Sequence, residues 1–155
     1  MTENHVVTFY VIERVSDYKK VGRTVERYCK KNNIVGTFFS TPQGINTTLS
    51  GAKKALIGLI ALLNTKFRFQ IKDQTWSIAK TLPFKRLKIK CRERLLPLKG
   101  NFDPVESRGI HLDHADWNKL ITDPNTIVID VRNDYETEIG SFKNSLIPNM
   151  ANLTE

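Results

Sequence analysis

Cysteine and long apolar runs are both scarce in this sequence. Its two cysteines, Cys29 and Cys91, are too few for a disulfide framework, and this usage favours a reducing cytoplasm. The longest apolar run, Ala55 to Leu63, is far shorter than the roughly 20 residues that cross a bilayer. The apolar stretch Val6 to Ile12 lacks the preceding basic segment and the cleavage site of a signal peptide. We therefore expect a cytoplasmic protein with no membrane partner.

The signatures of several catalytic classes are also missing. No Walker loop, dinucleotide-binding fingerprint or Ser-His-Asp set is evident. His111, Asp113, His114 and Asp116 could be read as metal ligands, but they lie at the start of a predicted helix, where Asp is favoured for capping. We therefore expect neither a bound metal nor a bound cofactor. The sequence assigns no oligomeric state.

Acidic residues are scarce in the first two-thirds of the chain. Residues 1–110 hold 21 Lys and Arg against 8 Asp and Glu, a net charge of +13, whereas residues 111–155 hold 3 against 8, a net charge of −5. A charge asymmetry of this kind indicates two units with different roles. The basic unit is suited to a polyanionic partner.

Hydrophobic periodicity predicts an α+β fold with the order β-α-β-β-α-β in the basic unit. This order is the ferredoxin-like arrangement, in which two helices cover one face of a four-stranded sheet. For the last strand we favour residues 86–96, with 67–71 as an accessory piece and a loop between them. The earlier elements are a strand at 6–12, a helix capped by Ser16 or Asp17, strands at 35–40 and 45–50 joined by a turn at 41–44, and a helix at 52–64.

A second unit begins after residue 110. Asp113 is the expected cap of a helix, and residues 126–131 (TIVIDV) are typical of a fully buried parallel strand. So short a segment, without a disulfide or metal site, buries too little surface to be stable alone. We favour the start of a second domain over a tail packed on the first. The inward face of the predicted helix consists of Trp117, Leu120 and Ile121, and the predicted organisation is a first domain at 1–98, a linker at 99–110 and a truncated second domain at 111–155.

The stretch KRLKIKCRER, residues 85–94, places five cations at alternate positions. In a strand they would share one face and extend over roughly 26 Å. An edge strand protected by charge is the alternative, but five like charges in a row repel one another, so we favour binding to a phosphate backbone. The candidate RNA-binding residues are Lys85, Arg86, Lys88, Lys90, Arg92 and Arg94.

Two further features could contribute to RNA binding. Gln43 and Asn46 lie at the hairpin turn, where either RNA contact or ordinary turn chemistry explains them, and we keep Asn46 as a candidate. Unpaired bases are recognised by aromatic stacking. Tyr10, Phe38 and Phe39 are available, although we expect them in the core.

Five strings, in this order and at these intervals, resemble the bacterial tRNA uridine(34) hydroxylase family of rhodanese-domain proteins. The strings are FFSTPQGINTT (38–48), PFKRLK (83–88), DWNKLI (116–121), VIDVRNDYE (128–136) and IGSFK (139–143). The resemblance implies a ferredoxin-like domain followed by a rhodanese-like domain. It also implies hydroxylation of C5 of the wobble uridine with molecular oxygen as co-substrate, and tRNA, at its anticodon region, as the partner.

The resemblance also assigns roles to residues of the second unit. It implies a structural role for Asp130, Arg132 and Glu136, with Arg132 paired for instance to Glu136. It places the catalytic cysteine in a loop beyond Glu155, so we expect this chain to be inactive alone. The alternatives are a stand-alone RNA-binding module and a rhodanese-type sulfurtransferase or sulfur carrier.

Overall fold

A computed structural model describes residues 4–81, 83–94, 103–107 and 109–148. The chain divides into two compact units, Met1–Ser107 and Arg108–Glu155. Among the described residues, no helix has both the length and the apolar character needed to cross a membrane. The elements are β1 (Asn4–Ile12), α1 (Tyr18–Lys31), β2 (Val35–Thr41), β3 (Gly44–Gly51), α2 (Lys53–Phe67), β4 (Thr75–Ala79), β5 (Leu87–Cys91), α3 (His114–Leu120) and α4 (Asp134–Thr137).

The first unit is built on one mixed sheet with the strand order β4-β1-β3-β2-β5. The pairs β1–β3, β2–β3 and β1–β4 are antiparallel, and β5 runs parallel to β2. The predicted ferredoxin-like arrangement is confirmed in the first four strands. The fifth strand is an addition at the β2 edge.

Both helices pack on the same face of this sheet. Val7, Phe9 and Leu49 point to that face and are buried, and Leu59 and Leu63 of α2 meet them in one core. Burying a side chain of this size contributes about 1.5–3 kcal/mol to folding. The hydrophobic effect therefore fixes which side of each strand faces the helices.

Local signals explain where α1 and the β2–β3 hairpin begin and end. The Asp17 carboxylate caps α1 by accepting a hydrogen bond of 2.8 Å from the Lys20 backbone N–H. The hairpin turns through two residues, and Gly44 then has φ +139°, a conformation that side-chain-bearing residues rarely adopt. A Cβ at Gly44 would lie 2.0 Å from the backbone oxygen of Val11. The turn therefore requires glycine at this position.

The prediction for the late strands was wrong. β4 pairs with β1, although its residues were assigned to a loop, and the segment favoured as the fourth strand forms β5, which pairs with β2 at the other edge of the sheet. Residues 67–71 form no strand: Phe69 and Ile71 are buried by packing on the core, and the Ile71 N–H bonds to the Asn64 side chain at 3.3 Å. Of the predicted strand 86–96, residues 87–91 are in β5, and residues 95–96 lie outside the described part.

The predicted linker at 99–110 is described in part. Residues 103–107 belong to the first unit, where Arg14 forms ion pairs with Asp103 and Glu106. Residues 99–102 and 108 lie outside the described residues. The domain bounds themselves stay a prediction.

In the second unit, α3 begins where the sequence indicated, with the Asp113 side chain accepting from the backbone N–H groups of residues 115 and 116. Trp117 is half-buried, and its ring lies 5.3 Å from that of Phe142. The expectation that Leu120 faces inward was wrong, because it is exposed.

The prediction that residues 126–131 form a buried strand is also wrong, because this segment is not covered by neighbouring strands within the described ranges. A single parallel bridge joins Ile129 to Leu146, while Ile127, Ile129 and Val131 are exposed by 72%, 56% and 53%. Their apolar character matches a buried strand, but no neighbouring strand covers them among the described residues.

Candidate nucleic-acid interface

One row of side chains crosses the sheet on the face opposite the helices. Lys90 pairs with Phe39, Phe39 pairs with Asn46, and Asn46 pairs with Tyr10, so the row spans β5, β2, β3 and β1. Successive side chains of a strand alternate between faces. Because the residues beside this row, such as Phe38, are buried in the core, the row points away from the helices.

The aromatic residues of this region are divided between the two faces. Phe38 is fully buried, as predicted, but Tyr10 is 56% exposed and Phe39 is half-buried on the open face. The expectation of a core position was therefore wrong for Tyr10 and Phe39. The alternation of side chains in a strand could have predicted the position of Tyr10. Val7, Phe9 and Val11 lie at odd positions of β1 and face the core, so Tyr10 must lie on the other face.

The cations of KRLKIKCRER lie along the edge of this open face. Lys88 and Lys90 are within β5. The ladder continues by one bond at each end, from the Gly36 N–H to the Arg86 oxygen at 3.2 Å and from the Arg92 N–H to the Ser40 oxygen at 3.0 Å. The ladder from 86 to 92 spans about 20 Å. The predicted length of 26 Å for the cationic face was therefore too long, and the exposed residues Lys85 and Arg94 lie beyond the ladder.

Two of these cations lie over the Phe39 ring. The Lys90 Nζ is 5.1 Å from the ring centroid, and the Arg92 Cζ is 5.5 Å from it. Exposed cation–π contacts are worth about 0.5–1 kcal/mol each. The Phe39 ring therefore holds the side chains of Lys90 and Arg92 beside the open face.

Negative charge is absent from all five strands, since their sequences contain no Asp or Glu. Along the chain, Glu3 and Glu13 are adjacent to the ends of β1, Asp73 lies two residues before β4, and Glu93 lies two residues after β5. Within the described residues, Lys88, Lys90 and Arg92 form no ion pair with a carboxylate. Their charge is therefore free to meet a polyanion.

The hairpin places its two polar residues differently. The backbone of Gln43 is engaged in the turn: its N–H bonds to the Thr41 hydroxyl at 3.1 Å, and its oxygen accepts from the Glu13 N–H at 3.2 Å. Asn46 is exposed in the middle of the cross-strand row. The structure therefore brings Asn46 together with the cations.

The three residues for which a structural role is predicted, Asp130, Arg132 and Glu136, lie in the second unit. Arg132 binds Asp130 through two nitrogens, at 2.9 and 2.7 Å, and also donates to the Gly140 oxygen at 2.7 Å. Hydrogen bonding from Arg132 lowers the pKa of Asp130. Glu136 accepts from the Asn133 side chain at 2.7 Å, so the expected Arg132–Glu136 pair was wrong. The guanidinium prefers Asp130 because both carboxylate oxygens are within its reach.

The two cysteines are placed for packing. Burial raises the pKa of the Cys29 thiol to about 12. Cys91 is on β5, with its sulfur against α1 near Gly22, and partial burial raises its pKa although Arg23 and Lys19 oppose the shift. Both groups are therefore neutral thiols near pH 7, and neither is an activated nucleophile.

The two aspartates considered as metal ligands have other roles. Asp113 caps α3, and the Asp116 carboxylate accepts from the Lys119 ammonium at 2.9 Å. Across the described ranges, no three His, Cys, Asp or Glu side chains are grouped to hold a metal ion.

The fold and the site define a ferredoxin-like module whose open sheet face is basic at one edge and free of acidic residues. Residues 4–95 match the model of the UPF0176 acylphosphatase like domain. The chain belongs to this family. Among solved structures, the BLUF protein BlrB in its dark state has a TM-score of 0.50 at 18% identity, covering 59% of this chain and 75% of that one, which shows the fold alone.

Curated relatives extend the similarity past the first unit. The chain is 35% identical over 97% of its length to a tRNA uridine(34) hydroxylase of Picosynechococcus sp., and it covers 51% of that protein. It is also 35% identical over 92% of its length to the protein of the same name from Agrobacterium fabrum, of which it covers 46%. The chain spans about half the length of the curated relatives it matches.

Proposed function

We propose that this chain is the N-terminal part of a cytoplasmic tRNA uridine(34) 5-hydroxylase and that its first unit binds the tRNA. The similarity to hydroxylases over both units supports the enzyme class. In this proposal the substrate is the wobble uridine in the anticodon region, and molecular oxygen is the co-substrate. In this proposal the chain alone is inactive, because neither Cys29, in the buried stripe of α1, nor Cys91, on β5, corresponds to the cysteine of the rhodanese loop.

The observation that carries tRNA binding is the acid-free sheet with cations along β5. Lys88, Lys90 and Arg92 project beside one another without a carboxylate partner in the described ranges. A tRNA backbone provides phosphates along such an edge, and neutralising them releases counterions. These contacts hold and orient the RNA, whereas they do not read its sequence.

The exposed apolar residues of the second unit support a continuation of the fold in the whole protein. Ile127, Ile129 and Val131 are the side chains that a complete parallel sheet would cover. The bidentate pair of Asp130 and Arg132 holds the loop after them and takes a structural role in this proposal. The catalytic cysteine is then supplied by the part of the protein that follows.

The test is the 5-hydroxyuridine content of tRNA, measured by mass spectrometry, in a strain lacking the gene. The complete gene should restore the modification. A complete gene carrying Lys88→Glu, Lys90→Glu and Arg92→Glu should restore much less of it at equal protein level. A matched variant with Lys53→Glu, Lys54→Glu and Lys72→Glu changes the net charge equally at exposed positions away from β5, and it should restore the modification fully.

Two results would overturn the proposal. Unchanged 5-hydroxyuridine in the deletion strain, together with sulfur transfer to cyanide by the purified protein, would favour a sulfurtransferase. Full restoration of 5-hydroxyuridine by the β5 triple variant would show that this edge of the sheet does not bind the tRNA.

A further inference from the structure

Phosphate binding at β5 leaves the rest of the open-face row unexplained. Tyr10 lies in the middle of the sheet, two strands away from Phe39, and is 56% exposed. Among the described residues, its ring makes no aromatic contact and its hydroxyl makes no hydrogen bond. An exposed ring in the same cross-strand row as Asn46 and Phe39 provides a flat surface on which a base can stack.

The spacing of the row suits consecutive nucleotides. Adjacent strands lie about 4.8 Å apart, so Tyr10 and Phe39 are separated by about 10 Å, with Asn46 between them. An aromatic ring stacks on any base, and a side-chain amide both donates to and accepts from a base edge. The cations of β5 lie at one end of this row, where the backbone of the same nucleotides would pass.

We propose that Tyr10, Asn46 and Phe39 form a platform for unpaired bases of single-stranded RNA, with bases stacked on the two rings and the Asn46 amide bonded to a base edge. This inference rests on the proposed function, because it takes the RNA held by β5 as its ligand. It assigns the sheet face to unpaired nucleotides, whereas the β5 cations alone would bind a duplex equally well.

The cations over Phe39 do not block the platform. An exposed cation–π contact corresponds to about a 2- to 5-fold effect on an equilibrium. Stacking of one base corresponds to about 5- to 150-fold in affinity. The two contacts together correspond to about 5- to 30-fold, which lies within the range for stacking of one base. A base that displaces Lys90 and Arg92 from the ring face leaves both cations able to bind a phosphate of the same nucleotide.

The test compares the binding of a fluorescein-labelled oligouridine nonamer and of a labelled RNA duplex of nine base pairs to the purified chain. Tyr10→Ala should weaken nonamer binding at least about 5-fold without changing the salt dependence or duplex binding. Tyr10→Phe keeps the ring and should recover most of the loss. Ile57→Ala removes an equally exposed apolar side chain from α2 and serves as the matched control.

Phe39 needs a milder change, because it is half-buried. Phe39→Leu retains packing, and its thermal unfolding should be checked against the parent chain. Photocrosslinking of a nonamer containing 5-bromouracil, with the crosslinked peptides identified by mass spectrometry, should label Tyr10 or Phe39.

The outcomes separate this inference from the proposed function. Unchanged nonamer binding by Tyr10→Ala and Phe39→Leu, with loss of binding by the β5 triple variant, would overturn the platform and leave tRNA binding in place. Failure of the β5 variant to affect either RNA would overturn the tRNA binding proposed for β5. Equal losses of duplex and nonamer binding by Tyr10→Ala would also reject the platform, since duplex bases cannot stack on the ring.

Discussion

Replacing Lys88, Lys90 and Arg92 together by Glu should weaken binding of a tRNA transcript about 10- to 100-fold near 0.1 M KCl. The three residues alternate along one face, so their side chains begin about 13 Å apart from first to last. That distance allows each of them to reach a different phosphate of one strand. The change therefore removes three contacts from a single site.

The magnitude follows from counterion release. Each neutralised phosphate adds about 0.7 to 0.9 to the slope of log affinity against log salt concentration. Three contacts add a slope of about 2 to 3, which is two decades or slightly more between 1 M and 0.1 M salt. Lys90 and Arg92 must leave the Phe39 ring to bind phosphate, at about 0.5–1 kcal/mol each, and this cost sets the lower end of the range.

The assay is fluorescence anisotropy of labelled tRNA, titrated at several KCl concentrations from about 0.05 to 0.4 M. The β5 variant should give a line that is shallower by about 2 to 3 in slope. The variant with Glu at Lys53, Lys54 and Lys72 has the same net charge and should differ from the parent by less than about 1. Equal slopes for the two triple variants would refute the reasoning, because net charge alone would then account for binding.

Three further predictions concern stability and reactivity. Gly44→Ala should lower the free energy of unfolding of the first unit by at least about 2 kcal/mol in urea titrations, because Gly44 has φ +139° and a Cβ would overlap β1. Gly140→Ala, with open space around it, should change the free energy of unfolding by under about 0.5 kcal/mol. Similar values for the two variants would contradict this prediction. Alkylation at mild alkaline pH, followed by mass spectrometry, should modify exposed Cys91 well before buried Cys29, and equal rates would show that the core around α1 opens readily. Hydrogen bonding from Arg132 lowers the pKa of Asp130, so the stability that Asp130 gives the second unit is complete above the ordinary pKa of 3.8 and is lost as pH falls through the lowered pKa. Asp130→Asn should remove this acid dependence in a circular dichroism titration. An unchanged pH profile would count against the prediction.

Local patterns predicted the early elements well. The apolar run of β1, the Asp17 cap of α1 and the two-residue hairpin turn each depend on residues close together in sequence. The buried stripe of α2 likewise appears at helical spacing. Such features are encoded locally, so the sequence indicates them without knowledge of the fold.

The late strands could not be predicted in this way. Phe69 and Ile71 alternate with polar residues as a strand would, yet they cover the core without joining the ladder. Trp76 and Ile78 alternate with Thr75 and Ser77 as in a strand, but the segment is only five residues long and gains its place by pairing with β1. Which segment occupies a sheet edge depends on competition between distant segments for the same hydrogen bonds.

The sequence by itself determined the charge division, the early elements of the first unit from β1 to α2 and the cationic face of residues 86–92, because charge and alternation are properties of adjacent residues. Only the tertiary structure decided that β5 lies beside β2, which brings Lys90, Phe39, Asn46 and Tyr10 from four separated segments into one row. It also decided that Arg132 binds Asp130 rather than Glu136. These outcomes depend on strand register and on the geometry of partners in space, which long-range packing fixes and residue spacing does not.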